Sequence, residues 1–362
     1  MPQHIFVAGY PSTVGGANTE LWHTLKLWRA NALEVTCLQL WDEPDPDWLA
    51  KVSGIGVKSV FSTAETLHEL GNPHELRDSI VVSFCNSHFL KWIRAFDRLG
   101  CKVVWVNCMN WLFPKEELWL QTCGQFDAYV FQSDYQQAQL APIIEKRVKL
   151  GTNRFYPDRF HRIPGAFDVA EFPYRPRERL IGGPFVIGRL SRSTGRPSGN
   201  PATEKYPRDL WRQYEAIKEV VPELQARVMG WNAGIEERCG TPPDWAECLP
   251  DGAETSQEFL ASLHCMVPGI GCVAENWPRV GLEAMAAGAP VVVEDKGGWP
   301  EMCYAAWPVS DRRTQTAKVE VLASNEHGRQ PVIRMSRDRM EQLTDPAAIW
   351  PKWKTLFEEI QR

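Results

Sequence analysis

The last third of the chain contains the stretch Glu275-Asn-Trp-Pro-Arg-Val-Gly-Leu-Glu283-Ala-Met-Ala-Ala-Gly-Ala-Pro290, followed by the β-branched run Val291-Val-Val293. The two glutamates are eight positions apart, a little over two helical turns. Pro278 suits the first turn of a helix, where its missing N–H is no loss. We therefore predict a helix that starts near Pro278, with Glu283 on its first turns and Glu275 in the preceding loop. Such a helix start offers N–H groups and a positive dipole end to a polar, phosphate-bearing ligand.

Length and composition indicate a globular protein. The chain has 362 residues, enough for two domains, and 44% of them are hydrophobic. A net charge of −5 gives no overall attraction to nucleic acid or acidic membranes. No apolar run is long enough for a membrane span. No secretory signal is recognisable, so we predict a cytoplasmic protein with reduced cysteines; none of the ten forms a Cys-x-x-Cys pair, which disfavours a zinc site.

The first half of the chain alternates apolar runs with amphipathic segments, which is typical of a parallel α/β sheet. A predicted strand at residues 4–9 leads through a loop containing Gly15-Gly16 to a predicted helix at residues 19–30. Adjacent glycines allow the backbone to approach a ligand closely or to take positive φ. The pattern continues with strands at residues 33–40, 79–84, 102–107 and 128–132, and helices at residues 89–99 and 136–144.

The second half repeats this alternation after a boundary near Pro164-Gly165. It predicts strands at residues 184–190, 225–229, 265–268 and 290–293, and helices at residues 207–220, 257–263 and 281–287. The Gly/Ser/Pro-rich loop at residues 191–206 has a length that usually indicates function or mobility. Residues 317–343 are expected to be partly helical, with a break near Gly328 and Pro331. The tail, residues 347–360, carries Trp350, Trp353 and Phe357 at helical spacing.

Parallel sheets present their ligand loops at the carboxyl ends of their strands. In the first half, Gly15-Gly16 follows the first strand; in the second half, the first strand is followed by Arg189, Arg192 and Lys205, and a later strand by Glu275. Cationic side chains together with helix-start N–H groups form a strong diphosphate site without a metal. We therefore predict a diphosphate site with no metal ligands.

These residues resemble a known family. The stretch from Glu275 to Glu283 resembles the Glu-x7-Glu signature of retaining GT-B glycosyltransferases, the family that includes sucrose synthases and bacterial mannosyl- and glucosyltransferases. Other segments are similar in the same order along the chain: Gly15-Gly16 to the glycine loop, residues 161–168 with Phe172 to the interdomain segment, residues 188–192 with Lys205 to the Arg/Lys diphosphate clamp, and Gly297-Gly298 with Glu301 to the loop after the last strand.

The resemblance implies the α/β GT-B fold, with two Rossmann-like parallel-sheet domains facing a central cleft. Residues 1–165 would form the acceptor domain and residues 166–345 the nucleotide-sugar donor domain. Residues 346–362 would form a C-terminal helix that packs back on the first domain.

The resemblance also implies a role for each site residue. Glu283 would hold the ribose hydroxyls, and Arg192 and Lys205 the diphosphate. Glu275 would be catalytic, because it would bind a hydroxyl of the transferred sugar and orient it for front-face attack. The remaining donor-binding residues would contribute the glycine loop and main-chain N–H groups: Gly15, Gly16, Asn276, Trp277, Pro278, Arg279 and Val280. The co-substrate would be a UDP- or GDP-sugar, with no further cofactor and no metal.

The chain departs from the family pattern in two places. Twelve residues separate Arg192 from Lys205, where the family usually has about five. The family often places a His after the fourth strand of the first domain, and residues 106–110 here contain none. Asn107 is therefore expected to take over a hydrogen-bonding role, with Asn110 as an alternative. His88 also follows a strand end and is a further catalytic candidate.

The residues leave the acceptor open. Residues 80–165 contain eleven Lys/Arg and seven Asp/Glu, and aromatic residues are interleaved with the basic ones at residues 146–162. Such a band can track a phosphate backbone and stack bases, or it can be a solvated face. A saccharide, lipid-linked or small-molecule acceptor is preferred. A nucleic-acid acceptor, such as a hydroxymethylated base of viral DNA reached by base flipping, is the alternative.

The function predicted from the sequence is therefore a retaining, metal-independent glycosyltransferase that uses a nucleotide-sugar donor. Three alternatives remain: a sugar-nucleotide epimerase, a phosphorylase-like enzyme with a lysine-bound pyridoxal cofactor, and a non-catalytic protein that binds sugar nucleotides. The sequence makes no prediction of oligomeric state.

Overall fold

The computed structural model describes residues 4–9, 15–40, 45–61, 76–122, 125–151, 154–180, 182–191, 203–303 and 308–362. The chain forms two compact units. One comprises Met1–Asp168 with Thr344–Arg362, and the other comprises Val169–Leu343. The predicted loop at residues 10–14 and the predicted clamp residue Arg192 lie outside the described residues.

The first unit is built on a seven-stranded parallel sheet with the order β3-β2-β1-β4-β5-β6-β7. Its central strands are apolar runs with buried residues on both faces, as a sheet covered by helices requires. The strand order reverses between β1 and β4, so the switch point lies at the carboxyl ends of these two strands. The strands are β1 His4–Ala8, β2 Glu34–Gln39, β3 Lys58–Phe61, β4 Ile80–Phe84, β5 Lys102–Val106, β6 Ala128–Phe131 and β7 Phe160–Arg162.

Helices of the first unit connect these parallel strands. On the first of them, Leu21, Leu25 and Trp28 recur at helical spacing and are at most 1% exposed. The helices are α1 Gly16–Ala30, α2 Pro46–Ser53, α3 Ile93–Arg98, α4 Pro114–Thr122 and α5 Asp134–Leu150.

The second unit has a four-stranded parallel sheet of order β10-β9-β8-β11. Val291 extends this sheet through an isolated parallel bridge to Met266, at the position where the sequence predicted a strand. The strands are β8 Phe185–Leu190, β9 Leu224–Met229, β10 Ala246–Leu249 and β11 Cys265–Met266. The helices are α6 Leu210–Val220, α7 Ala233–Cys239, α8 Ser256–Ala261, α9 Arg279–Ala287, α10 Trp299–Met302, α11 Arg312–Ser324 and α12 Glu326–Thr344.

The predicted helix break near Gly328 and Pro331 is wrong, because α12 runs through both residues. The interruption lies at Asn325, whose side-chain Oδ1 accepts a hydrogen bond from the Gly328 N–H at 2.9 Å. Buried side chains further along α12, such as Ile333 at 1% exposure, hold the helix against the unit despite the proline.

The last helix, α13 Pro346–Ile360, belongs to the first unit. The Trp353 and Phe357 rings meet the Trp28 ring of α1 edge to face, at centroid distances of 5.0 and 5.6 Å. All three side chains are at most 3% exposed, so the end of the chain completes the core that its beginning starts.

The expectation that all cysteines are reduced is wrong for one pair. Cys85 and Cys108 form a disulfide across the ends of β4 and β5, with their Cα atoms 5.8 Å apart. The parallel pairing of these strands, with Phe84 opposite Val106, brings the two cysteines together. Their sequence separation of 23 residues carries no recognisable motif. Seven other cysteines in the described residues are free thiols.

Candidate active site

The Glu275-to-Glu283 stretch folds as its sequence predicts. Helix α9 begins at Arg279 directly after Pro278, and it ends at Gly288, whose φ of 97° is the left-handed conformation that glycine adopts easily. Glu275 lies in the loop before the helix and Glu283 on its second turn. Since α9 follows the region of β11, its N-terminus faces the carboxyl edge of the second sheet.

A glycine pair fixes the backbone of this loop. The Gly298 N–H donates to the Glu275 carbonyl at 2.8 Å. A Cβ on Gly298 would lie 1.7 Å from the Asn276 carbonyl oxygen, and one on Gly297 would lie 2.5 Å from the Glu275 carbonyl oxygen. Gly281 likewise lies against the Trp299 ring, where a Cβ would come within 2.4 Å. The backbone around Glu275 is therefore held by close approaches that only glycine allows.

Lys205 and Glu275 come together in the structure. Lys205 Nζ lies 3.2 Å from Glu275 Oε1, and the two side chains are 39% and 29% exposed. An ion pair this exposed is worth at most about 1 kcal/mol, so it can exchange for contacts with a ligand at little cost. The pair offers a cation for a phosphate oxygen and a carboxylate for a sugar hydroxyl within one short distance.

Arg189 anchors the loop that carries Lys205, a role that the sequence did not reveal. Its guanidinium is 3% exposed and donates to the Lys205 carbonyl at 2.9 Å and to the Pro268 carbonyl at 2.7 Å. It also lies over the Tyr206 ring, 3.8 Å from the centroid. Arg189 thus joins the loops after β8 and β11, which carry Lys205 and Glu275 respectively.

Glu283 is half-buried on α9. Burial raises the pKa of its carboxyl above the ordinary value, while the nearby Arg279 charge opposes that rise and Glu171 adds to it. A carboxylate that is partly removed from water is stabilised by accepting hydrogen bonds, which ligand hydroxyls can donate.

The predicted donor residues 276–280 lead into α9 and form its first two positions. The side chains of Asn276, Trp277 and Arg279 are at most 8% exposed, and Pro278 is buried as well. Val280 is half-buried. A helix start of this kind carries main-chain N–H groups that can bind an anion.

The carboxyl edge of the first sheet holds the remaining predicted residues. Gly15 precedes α1 with a φ of 113°, a conformation that requires glycine, whereas a Cβ on Gly16 would meet nothing within 4 Å. The Asn86 side chain donates to the Gly9 carbonyl at 3.2 Å and accepts from the His88 N–H at 2.9 Å. The bond from Asn86 to Gly9 links the ends of β1 and β4 at the switch point. The bond from the His88 N–H to Asn86 places His88, which is half-buried, beside that point.

Asn107 shapes the loop after β5. Its side-chain Nδ2 donates to the Trp111 carbonyl at 2.8 Å, and its Oδ1 accepts from the Met109 N–H at 2.8 Å. The residue is 1% exposed. Both polar atoms of the amide are thus hydrogen-bonded to the backbone of residues 107–113, the β5 loop.

Two further side chains hold the β5 loop. Gln136 Nε2 donates to the carbonyls of Asn107 and Met109, at 2.5 and 2.8 Å. Glu116, 2% exposed, accepts from the Phe113 N–H at 2.9 Å and from the Trp105 indole at 2.8 Å. Burial raises the pKa of Glu116 to about 7, although these two hydrogen bonds oppose the shift.

Most of the predicted basic band lies at the opposite edge of the first sheet. Lys102 is the first residue of β5, Arg159 immediately precedes β7, and Lys149 is in the last turn of α5. A helix that connects parallel strands ends where the next strand begins, so all three lie at the amino edge. Several band members are also paired: Lys102 with Asp127 at 3.5 Å, Arg147 with Glu117, and Lys149 with Glu145.

The described residues contain no group of three or more His, Cys, Asp or Glu side chains placed to hold a metal ion. Within the same part of the chain, no helix combines the length and apolar character that a membrane crossing needs.

Searches with the sequence find no matching family model and no matching curated protein. Solved structures do match. The chain is similar to Anabaena Alr3699/HepE in complex with UDP, with a TM-score of 0.67 and 14% identity over 99% of this chain and 100% of that one. It is also similar to S. aureus TarM in complex with UDP, with a TM-score of 0.69 and 10% identity over 98% and 99% of the two chains.

A third similar structure is the pneumococcal O-GlcNAc transferase GtfA in complex with UDP and GlcNAc, with a TM-score of 0.68 and 10% identity over 99% of each chain. These structures are GT-B glycosyltransferases. At such identities the likeness shows the fold. The predicted GT-B architecture of parallel α/β sheets, and with it the resemblance read from the sequence, is therefore confirmed at the level of the fold.

Proposed function

We propose that this GT-B chain is a retaining glycosyltransferase that moves a sugar from a nucleoside-diphosphate sugar to a hydroxyl acceptor. The single observation that carries the proposal is the Lys205–Glu275 pair, 3.2 Å apart in front of the α9 start. Glu283 lies on the second turn of α9. The Lys205 cation and the helix start would match the diphosphate of such a donor, Glu275 the sugar and Glu283 the ribose.

The proposed mechanism relies on charge stabilisation and positioning. Lys205 and the helix-start N–H groups stabilise the charge that develops on the departing diphosphate. Glu275 holds a sugar hydroxyl and orients the anomeric carbon, and Glu283 binds the ribose hydroxyls. Arg192, which lies outside the described residues, is proposed as the second clamp cation. UDP is the preferred nucleotide, since UDP or a UDP-sugar is bound in several of the similar structures.

The predicted acceptor-side residues retain proposed roles of different kinds. His88 is the candidate for contacting the acceptor or the reacting carbon, because it follows β4 at the switch point. Asn107 is proposed to act through the loop it holds, since its amide is engaged with Met109 and Trp111. Gly15 and Gly16 are proposed to let the backbone before α1 approach the ligand.

A nucleic-acid acceptor receives no specific support from the fold. Most of the basic residues that suggested it lie at the amino edge of the first sheet, whereas His88 and Asn107 lie at the carboxyl edge. An acceptor without a polyanionic backbone is therefore preferred.

A nucleotide panel tests the proposal. UDP, GDP and their sugars are screened by thermal shift, and the stabilising nucleotide sugar is then offered with candidate acceptors. We expect Glu283→Ala to weaken nucleotide binding and Glu275→Ala to abolish transfer while nucleotide still binds. Full transfer activity in both variants would contradict the site assignment.

The same assay separates the alternatives. A transferase releases nucleoside diphosphate only when acceptor is present, and NMR of the product gives the anomeric configuration. An epimerase converts the sugar nucleotide without acceptor, and a binding protein does neither. A phosphorylase-like enzyme would show the absorbance of its pyridoxal cofactor.

A further inference from the structure

Trp111 differs from the other tryptophans of the described residues. Its side chain is 47% exposed, and each of the others is buried or half-buried. An indole is large, flat and mostly apolar, so its exposure leaves a substantial apolar face in water. A flat face of this kind can bind a ring by stacking.

The backbone that presents Trp111 is held in place from several directions. Asn107 binds the Trp111 carbonyl, Gln136 binds two other carbonyls of the β5 loop, and Glu116 binds the Phe113 N–H. The disulfide fixes Cys108 to the end of β4. A ligand that stacks on this indole therefore meets a loop that is already ordered, which lowers the entropy cost of binding.

The position of the loop connects Trp111 with the acceptor. The β5 loop leaves the carboxyl edge of the first sheet one strand from the switch point, where His88 lies. Ligands of open α/β sheets bind at this edge. Under the proposed transferase function the acceptor belongs to residues 1–165, so a ligand that contacts this loop is assigned to the acceptor.

The charge around Trp111 indicates the class of ligand. Residues 85–90 and 107–113 contain no Lys, Arg, Asp or Glu. Lys91 and Lys115 flank these two loops, and Arg162 ends β7 at the same edge, where it is paired with Asp134 at 3.1 Å. Lys102, Lys149 and Arg159 lie at the amino edge. An exposed indole without a cluster of cations beside it suits a neutral ring better than a phosphate backbone.

We propose that Trp111 is the stacking platform of the acceptor site, and that it takes a neutral, hydroxyl-bearing ring with a flat apolar face. The inference rests on the proposed transferase function and adds the acceptor class to it. A pyranose and a free hydroxymethyl-pyrimidine nucleoside share this chemistry, and separate arms of the test distinguish them. An anionic polymer gripped through its phosphates does not share it.

The test compares Trp111→Ala and Trp111→Phe with Leu118→Ala, which removes another exposed apolar side chain, 62% exposed, from the neighbouring α4. Steady-state transfer is measured with methyl glucopyranoside in one arm and the hydroxymethyl nucleoside in the other. We expect Trp111→Ala to raise the acceptor KM about fivefold or more, with kcat and nucleotide affinity changed less than about twofold. Trp111→Phe should fall between, and Leu118→Ala should match the wild type. An unchanged acceptor KM in Trp111→Ala overturns the proposal.

A binding measurement keeps the outcome independent of transfer. Saturation-transfer NMR detects ring binding to the protein without any donor. A signal for either ring that is lost in Trp111→Ala and retained in Leu118→Ala supports the platform, even if no nucleotide sugar is turned over and the transferase function itself fails. Equal signals in wild type and Trp111→Ala, or no signal for either ring, overturn it.

Discussion

Lys205 Nζ lies 3.2 Å from Glu275 Oε1, although the two residues are seventy positions apart in the chain. Two separate hydrogen bonds to the backbone hold the two residues in position. The Arg189 guanidinium donates a hydrogen bond to the Lys205 carbonyl, and the Gly298 N–H donates one to the Glu275 carbonyl. The ion pair is therefore set by the backbone on both sides, while its own energy is small. An ion pair of this kind can exchange its contacts for those of a ligand, such as the donor proposed above, at little cost.

Lys205→Ala should weaken UDP binding about tenfold or more, because a hydrogen bond to a charged group contributes roughly 1.5–3 kcal/mol. Glu275→Gln should leave UDP affinity nearly unchanged or slightly higher, since it frees Lys205 without removing it. Titration calorimetry of the single variants and the double variant measures both effects. The matched control is Arg313→Ala, which removes an exposed cation of the same unit. Equal UDP affinity in wild type and Lys205→Ala would show that Lys205 is not the clamp lysine.

Glu116 should give the stability of the first unit a distinct pH dependence. Its pKa in the folded chain is about 7, above the ordinary value of 4.5, because the carboxyl is buried. The folded state therefore holds a proton that the unfolded state releases, and the Glu116 contribution to stability falls as pH rises from about 4.5 to 7. The slope is at most about 1.4 kcal/mol per pH unit.

The measurement has to separate Glu116 from His264, whose contribution to stability changes with pH in the opposite direction. Burial lowers the pKa of His264 to about 3, so His264 adds stability as pH rises from about 3 to 6.5. The difference in unfolding free energy between wild type and Glu116→Gln isolates Glu116. We expect Glu116→Gln to lose less unfolding free energy than the wild type between pH 5 and 7. The variant should start lower at every pH, because the glutamine NH2 group cannot accept one of the two hydrogen bonds that the carboxyl accepts. Parallel pH curves for the two proteins would contradict the assignment.

Reduction of the Cys85–Cys108 disulfide should loosen the β5 loop. Cys108 is half-buried, so a dithiol can attack its sulfur and release the Cys85 thiolate; the second thiol of the reagent then closes its own disulfide and frees Cys108. A crosslink over 23 residues stabilises by about 3 kcal/mol in the chain-entropy description. Hydrogen exchange of residues 107–113 should therefore rise on reduction.

The paired control uses the cysteines themselves. Cys85→Ser/Cys108→Ser should show fast exchange in the β5 loop with or without dithiol, whereas Cys248→Ser, at a half-buried free thiol, should respond like the wild type. Alkylation without reductant followed by mass spectrometry should leave Cys85 and Cys108 unmodified. Labelling of both cysteines in protein never exposed to reductant would show that the disulfide does not form.

The order of strands and helices was predictable because apolar runs and amphipathic periods are local features of the sequence. Strand β3 and the short strands β7 and β10 were not predicted, because their three or four residues mix polar and apolar types. The equally short β6 and β11 lie in apolar runs and could be recognised. Pro331 predicted a break that does not occur, because packing of the buried face of α12 overrides the local cost of a proline.

Part of the candidate site was likewise predictable from local sequence features, and part was not. The position of Glu275 before α9 and of Glu283 on it follows from Pro278, Gly288 and the spacing between the glutamates. The anchoring by Arg189 and the Cys85–Cys108 pair could not be predicted, since each depends on contacts between strand ends that the sequence separates widely. Asn107 was expected to offer its amide to a ligand. Its partners, the Met109 N–H and the Trp111 carbonyl, belong to a loop conformation that residue types alone do not specify.

Gly298→Ala should weaken UDP binding and transfer, although the substitution adds only a methyl group and removes no polar contact. The added Cβ would lie 1.7 Å from the Asn276 carbonyl oxygen, so the backbone between Glu275 and the start of α9 has to move. Because Lys205 and Glu275 are matched to within one ion-pair distance, a shift of about 1 Å removes the carboxylate from its position. We expect UDP affinity to fall about tenfold and transfer to fall further, while the protein remains folded. The control is Gly54→Ala, where the nearest atom to an added Cβ is an ordinary 3.4 Å away. Calorimetry and transfer assays that find both glycine variants equal to the wild type would show that the packing of Gly298 on Asn276 does not position the site.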